Sequence, residues 1–290
     1  MTVPREVVVG DVRIGGGNPL VLIAGPCVME GREATLELAG RLRELVDTLA
    51  IPWIFKASYD KANRGEAPSF RGPRLEEGLA ILAEVRERYG VPVLTDVHDP
   101  HEAELAGRLV DVVQIPAYLS MQTPLALAAG HTRKAVNVKK GQFLSPGAMA
   151  GVARKIESTG NQRILLTERG TTFGYGDLVA DFRSLPRMRA LGYPVVLDPT
   201  HIIRRPGTPS SEPRGGDPEY VPHLTRAGVG AGLDALFIET HLEPEKACCD
   251  ACSMLRFDYL RELLEQCLEL DRAVKKWDLS VRPRRSDGFV

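Results

Sequence analysis

The sequence predicts a (β/α)8 barrel, and three observations carry that expectation. Eight short runs of apolar, β-favouring residues recur along the chain. They are near-continuously apolar, which is the pattern of parallel strands covered on both faces. The segments between them carry apolar residues at helical spacing. The length, 290 residues, also suits a barrel, which typically takes roughly 250. Repeated strand–helix alternation favours a closed barrel, although alternation alone leaves a doubly wound sheet open.

The elements follow in order. Val7-Val8-Val9-Gly10-Asp11-Val12-Arg13-Ile14 reads as a hairpin turning at Gly-Asp. Lying ahead of the first barrel strand, it is expected to plug the N-terminal end. The barrel runs begin with Val21 to Ala24, Trp53 to Phe55, Val91 to Leu94 and Val112 to Ile115. Ala135 to Val138, Ile164 to Leu166, Val195 to Leu197 and Leu236 to Ile238 complete the set. Between the first two, Leu38, Leu42, Leu45, Val46 and Leu49 share one helical face. Leu260, Leu263, Leu264, Cys267 and Leu268 do the same in the last helix. A single domain over residues 1–290 is expected, with 1–20 as the hairpin cap and 281–290 as a fraying polar tail. Two long connections, 58–74 and 204–220, are rich in charge, glycine and proline, and loops of that length are usually functional.

Composition narrows the function. Basic and acidic residues number 37 and 38, so the formal net charge of -1 gives no pull toward nucleic acid or a membrane surface. No apolar run approaches the roughly 20 residues that span a bilayer. A secretory signal is not expected, because no apolar stretch follows a basic start. The five cysteines therefore read as reduced thiols of a cytoplasmic protein.

In a barrel, the C-terminal ends of the strands converge on one mouth. Those ends carry Cys27, Lys56, Asp96, His98, Gln114, Lys139, Lys140, Glu168, Arg169, Asp198, His201, Glu239 and His241. Lys56, Lys61, Arg64, Lys139, Lys140 and Arg169 would form an electropositive basin for more than one anionic group. Lys139 and Lys140 are adjacent, so one of them is expected to face the mouth. Cys27, His201, Glu239 and Asp250 are ligand types that a divalent transition metal accepts, although no spacing rule joins them. Cys248, Cys249 and Cys252 include a Cys-x-x-Cys without a second pair, and read as thiols packed around a loop and helix start.

The order of motifs is similar to that of a known family. Ala24-Gly25-Pro26-Cys27, Phe55-Lys56-Ala57-Ser58, Lys61-Ala62-Asn63-Arg64 and Thr95-Asp96-Val97-His98 come first. Gln114-Ile115-Pro116-Ala117, Asn137 to Phe143, Thr167-Glu168-Arg169-Gly170, Asp198-Pro199-Thr200-His201 and Phe237 to His241 follow. Over nearly the whole chain this resembles the 3-deoxy-D-manno-octulosonate-8-phosphate synthases of the metal-dependent class. The resemblance implies condensation of phosphoenolpyruvate with D-arabinose 5-phosphate and water. It implies that Lys139 and Arg169 hold the phosphoenolpyruvate phosphate, and that Lys56, Ser58, Lys61 and Gln114 line its carboxylate and reacting carbons. Asn63 and Arg64 would reach the aldose phosphate and Asp96 the sugar hydroxyls, with Lys61, Asn63, Asp96 and His201 closest to the chemistry. Cys27, His201, Glu239 and Asp250 would bind Zn2+, Fe2+ or Mn2+; the metal-independent class has Asn in place of Cys27. A homotetramer feeding lipopolysaccharide synthesis is implied as well. The chain departs from the family pattern at Met121, usually Arg, and at Gly65, usually Ser, both where phosphate contacts are expected. Pro199 is unusual too. Two alternatives stand beside this reading: a related synthase using another aldose, and an anion-binding barrel without turnover.

Overall fold

A computed structural model describes residues 3–64, 67–209 and 212–277. Gly65 and the 281–290 tail lie outside the described residues. The chain begins with an antiparallel hairpin, β1 (Val7–Val9) and β2 (Val12–Ile14), turning at Gly10 and Asp11 as the sequence predicts. Eight parallel strands follow. They are β3 (Val21–Gly25), β4 (Trp53–Lys56), β5 (Val93–Asp96), β6 (Val112–Ile115), β7 (Ala135–Lys139), β8 (Ile164–Glu168), β9 (Val195–Leu197) and β10 (Ala235–His241). Each pairs with its neighbour in sequence, and β10 pairs with both β9 and β3. That last pairing closes the barrel and excludes the open sheet. A two-residue strand, β11 (Leu255–Arg256), extends β10 beyond its contact with β3 and has no forerunner in the sequence pattern.

Helices α1 (Arg32–Leu49), α2 (Leu75–Tyr89), α3 (Pro100–Leu109), α4 (Thr123–His131) and α5 (Met149–Glu157) cover the first strands. The short α6 (Ser184–Arg189) and α7 (Pro199–Ile202), then α8 (Val221–Ala231) and α9 (Phe257–Lys276), complete the ring. Local chemistry fixes the boundaries. Asp99 caps α3 by accepting the Glu102 N–H at 2.9 Å, with Pro100 in the first turn where its missing N–H costs nothing. Gly90 ends α2 in the left-handed conformation. No described helix is long and apolar enough to cross a membrane.

Alternation along the strands sorts the core into two bodies. Leu22, Phe55, Val93, Val113, Val136, Leu166, Leu197 and Ile238 face outward and pack with the helices. Ile23, Ile54, Leu94, Val112, Ala135, Leu165, Val196 and Phe237 face inward. Val7, Val9, Val12 and Ile14 of the hairpin join this inner cluster, so the hairpin seals the bottom as expected. Two residues further along the strands, the inward positions turn polar: Lys56, Asp96, Gln114, Asn137, Thr167, Asp198 and Glu239 are all buried. The strand period of two therefore delivers an apolar layer below and a charged layer above.

Candidate active site

The charged layer opens into two adjoining cavities. The larger, about 570 Å3, is walled by the connections the sequence marked as long: Lys61, Asn63 and Arg64 on one side, Arg204 to Pro209 on the other. The smaller, about 220 Å3, lies over the strand ends and touches Asp96, Gln114, Lys139, Arg169, His201 and Glu239.

One half of the site is cationic. Arg169 is buried, and one of its guanidinium nitrogens, Nη1, has no partner among the described residues. Glu168 sets up the turn that carries Arg169, accepting the N–H groups of Arg169 at 2.9 Å and Gly170 at 2.7 Å. Lys139 Nζ donates to Asp198 at 2.5 Å and lies 3.7 Å over the ring of Phe237. Burial pulls the pKa of both Lys139 and Arg169 below the ordinary value. Two desolvated cations that face one cavity are a site for an anion, whose charge would restore what burial removes. Lys140 turns the other way. It is fully buried, and its Nζ reaches Gly170 O at 3.2 Å and Glu168 at 3.3 Å, so it braces the loops instead of lining the mouth.

The other half holds the candidate metal ligands. His201, Glu239 and Asp250 bring one ligand atom each within 4.8 Å of one another, and Cys27, Cys249 and Asp250 do the same. Asp250 joins the two groups. Cys27 Sγ is 3.2 Å from Asp250 Oδ2, and His201 Nε2 is 3.6 Å from Glu239 Oε2. Glu239 Oε2 is buried with no hydrogen-bond partner among the described residues. Asp198 lies 2.7 Å from His201 Nδ1, which leaves Nε2 as the nitrogen that could serve as a ligand. Burial lowers the His201 pKa and raises that of Cys27. A neutral imidazole, a thiol and two clustered carboxylates with an orphaned oxygen fit a soft-to-borderline divalent cation.

Other residues lie deeper than expected. Lys56 is not in a cavity wall but beneath the floor, its Nζ donating to Glu239 at 2.5 Å and to Cys27 O at 2.7 Å. Ser58 is fully buried and donates to Asp96 at 2.5 Å. Gly25 permits this closeness, because a Cβ there would lie 1.9 Å from the Lys56 carbonyl oxygen. Lys61 lies 3.7 Å from Glu239; burial opposes its charge, but Cys27, Glu239 and Asp96 hold its pKa well above the ordinary value. Gln114 is oriented by Asn137, whose amide donates to it at 2.8 Å.

Several residues of the site escaped the sequence reading. Cys249 reads as loop packing, yet it stands beside Cys27 and accepts from Arg64 at 2.9 Å; its place next to Asp250 was the available signal. Gln142 is buried, lines both cavities and has an unpartnered Oε1 among the described residues. Tyr118 and Arg205 line the larger cavity without a motif to mark them. Met121 is not among the lining residues, and its carbonyl accepts from Lys155 at 2.9 Å.

Fold and site define a class: a (β/α)8 enzyme whose mouth pairs a cationic basin with a cluster of side chains that could hold a metal ion. The chain belongs to the DAHP synthetase I family, whose sequence model matches residues 2–276. It is 52% identical over 272 residues to the 2-dehydro-3-deoxyphosphooctonate aldolase of a Geobacter species, which is 94% of this chain and 99% of that one. The protein of the same name from Geobacter sulfurreducens is 49% identical over 93% of this chain and 99% of its own. That from a Cyanothece strain is 51% identical over 91% and 96%.

Proposed function

We propose that this chain condenses phosphoenolpyruvate with D-arabinose 5-phosphate and water, releasing inorganic phosphate and 3-deoxy-D-manno-octulosonate 8-phosphate. The observation that carries this reading is the shared mouth: Lys139 and Arg169 are buried cations beside His201, Glu239 and Asp250. The methylene carbon of phosphoenolpyruvate attacks the aldose aldehyde carbon. Water adds to the enol carbon, and the bond from that carbon to the phosphate oxygen breaks.

In this scheme Lys139 and Arg169 hold the transferred phosphate and stabilise it as it leaves. Lys61 neutralises the carboxylate and the reacting centre, and Gln114, fixed by Asn137, positions the substrate. Asn63 and Arg64 take the aldose phosphate, and Asp96 its hydroxyls. Lys56 and Ser58 act from beneath, setting the orientation of Glu239 and Asp96. Cys27, His201, Glu239 and Asp250 hold a divalent Zn2+, Fe2+ or Mn2+, which when bound supplies a Lewis acid that eases charge development on oxygen. We place the enzyme in the cytoplasm as a homotetramer; sedimentation measures that assembly.

The test is phosphate release. Release that requires arabinose 5-phosphate, stops with chelator and returns with Mn2+ or Zn2+ supports the reaction and the metal together. Met121, where the resemblance implies an anion-binding Arg, lines neither cavity and gives no support to a different aldose. Arg204 and Arg205 bring cations to the larger cavity from the wall opposite Asn63 and Arg64. Release with erythrose 4-phosphate but not arabinose 5-phosphate decides for the alternative.

A further inference from the structure

Beside Asp96 lie three side chains that the reaction scheme does not use, His98, Glu102 and Tyr59. Their centre is the His98 imidazole. Nε2 is 3.4 Å from Asp96 Oδ2, and Nδ1 is 3.0 Å from Glu102 Oε2. The same Glu102 oxygen accepts the Tyr59 hydroxyl at 2.7 Å and the backbone N–H of His98 at 2.6 Å. Asp96 accepts Ser58 on its other oxygen. Asp96 and His98 line the smaller cavity, whereas Glu102 does not.

The geometry places a carboxylate oxygen beside each ring nitrogen. Either neutral tautomer of His98 would aim a lone pair at a carboxylate oxygen. The imidazolium instead offers an N–H to Glu102 and a positive charge to Asp96. The Tyr59 hydroxyl and the His98 N–H donate to one Glu102 oxygen that also faces Nδ1, an arrangement that favours the ionised form. We propose that Glu102 is a positioning residue: it holds His98 as a fixed cation and, through it, locks the Asp96 carboxylate toward the sugar side of the cavity. The kinetic part of this proposal rests on the function proposed above.

The groups that face His98 are Asp96 on β5, Glu102 on α3 and Tyr59 after β4, and Lys61 acts in turn on Asp96. Burial alone would lower the pKa of His98, but the bonds to Asp96 and Glu102 outweigh it and raise the value to about 10. Glu102 also sits in the first turn of α3, so a purely structural role as a helix-start residue has to be separated from this one. Glu102→Gln does so, because it keeps a carbonyl oxygen for the backbone N–H while removing the charge.

The experiment uses full-length, Zn2+-loaded protein with carbon-13-labelled histidine, the His98 resonance being assigned with His98→Asn. In the wild type, His98 stays protonated until the pH approaches about 10. In Glu102→Gln its midpoint falls by about 1–3 pH units, the usual effect of losing an adjacent opposite charge. The variant's kcat then gains an alkaline limb, dropping about tenfold per pH unit above the new midpoint, with KM for phosphoenolpyruvate unchanged. A wild-type His98 that titrates near neutrality overturns the proposal without any variant, so a misfolded Glu102→Gln leaves it decidable. An unmoved midpoint in the variant overturns it too. A moved midpoint with an unchanged kcat profile overturns the positioning role. If the wild type turns over no aldose, the proposed function fails while the resonance still reports the charge of His98.

Discussion

The inside of the barrel has two ends built from the same strands. At the bottom, Ile54, Leu94, Val112, Ala135, Leu165, Val196 and Phe237 meet the hairpin residues Val9 and Ile14. Two positions later, Lys56, Asp96, Gln114, Asn137, Thr167, Asp198 and Glu239 face the mouth. The lower layer is held by burial of apolar surface, which is non-directional. The upper layer is held by paired charges and hydrogen bonds, which fix direction and leave chosen atoms, such as Glu239 Oε2 and Arg169 Nη1, for a guest. The difference shows that stability and chemistry are separated by one strand repeat, about 7 Å.

Four experiments break or sharpen this contrast, in decreasing order of effect. His201→Ala removes a mouth ligand and is expected to lower kcat about 10^3-fold, with bound metal lost by elemental analysis and little change in urea midpoint. Ile14→Ala makes the opposite change at the bottom. It should cost about 2–5 kcal/mol in urea unfolding while kcat per folded molecule is unchanged; a large fall in kcat would show that the two ends are coupled. Asp198→Asn leaves every proposed ligand in place but weakens the anchor on His201 Nδ1. Metal affinity should fall about 10–100-fold in a chelator competition.

The smallest effect is a pH dependence of stability. The folded pKa of His98, about 10, lies above its ordinary 6.5, so its contribution is complete below pH 6.5 and is lost as pH rises toward 10. Glu102 is the reverse. Burial opposes its charge, but His98 and Tyr59 depress its pKa to about 2 from 4.5, so its contribution holds above 4.5 and disappears as pH falls through 2. His98→Asn should flatten the alkaline slope of the urea midpoint measured between pH 6.5 and 10, while leaving the slope seen in wild type as the reference.

The fold was legible because parallel barrel strands are apolar on both faces and write themselves as runs. Strand β5 shows the limit: Val91 and Pro92 belong to the apolar run, but pairing starts at Val93, since Pro92 has no N–H and contributes only its carbonyl, to Phe55 N at 2.9 Å. The site was legible as a set of residue types at strand ends. Depth was not. Alternation tells which side chains point inward but not which layer each occupies, so Lys56 and Ser58 read like cavity residues and lie beneath it. Cys249 was lost because its partners, Cys27 just after β3 and Arg64 in a distant loop, are contacts that no local spacing encodes.

The two-residue offset also governs how this enzyme would tolerate variation. A saturation-mutagenesis map scored for activity alone would mark every inward position intolerant, with no visible boundary. Scored for cellular abundance as well, the same map would split with period two along each strand. Ile54, Leu94 and Val196 would lose both signals together, and Asp96, Gln114 and Asp198 would lose activity ahead of abundance. The inner barrel carries its division of labour as a ruler, readable by counting residues.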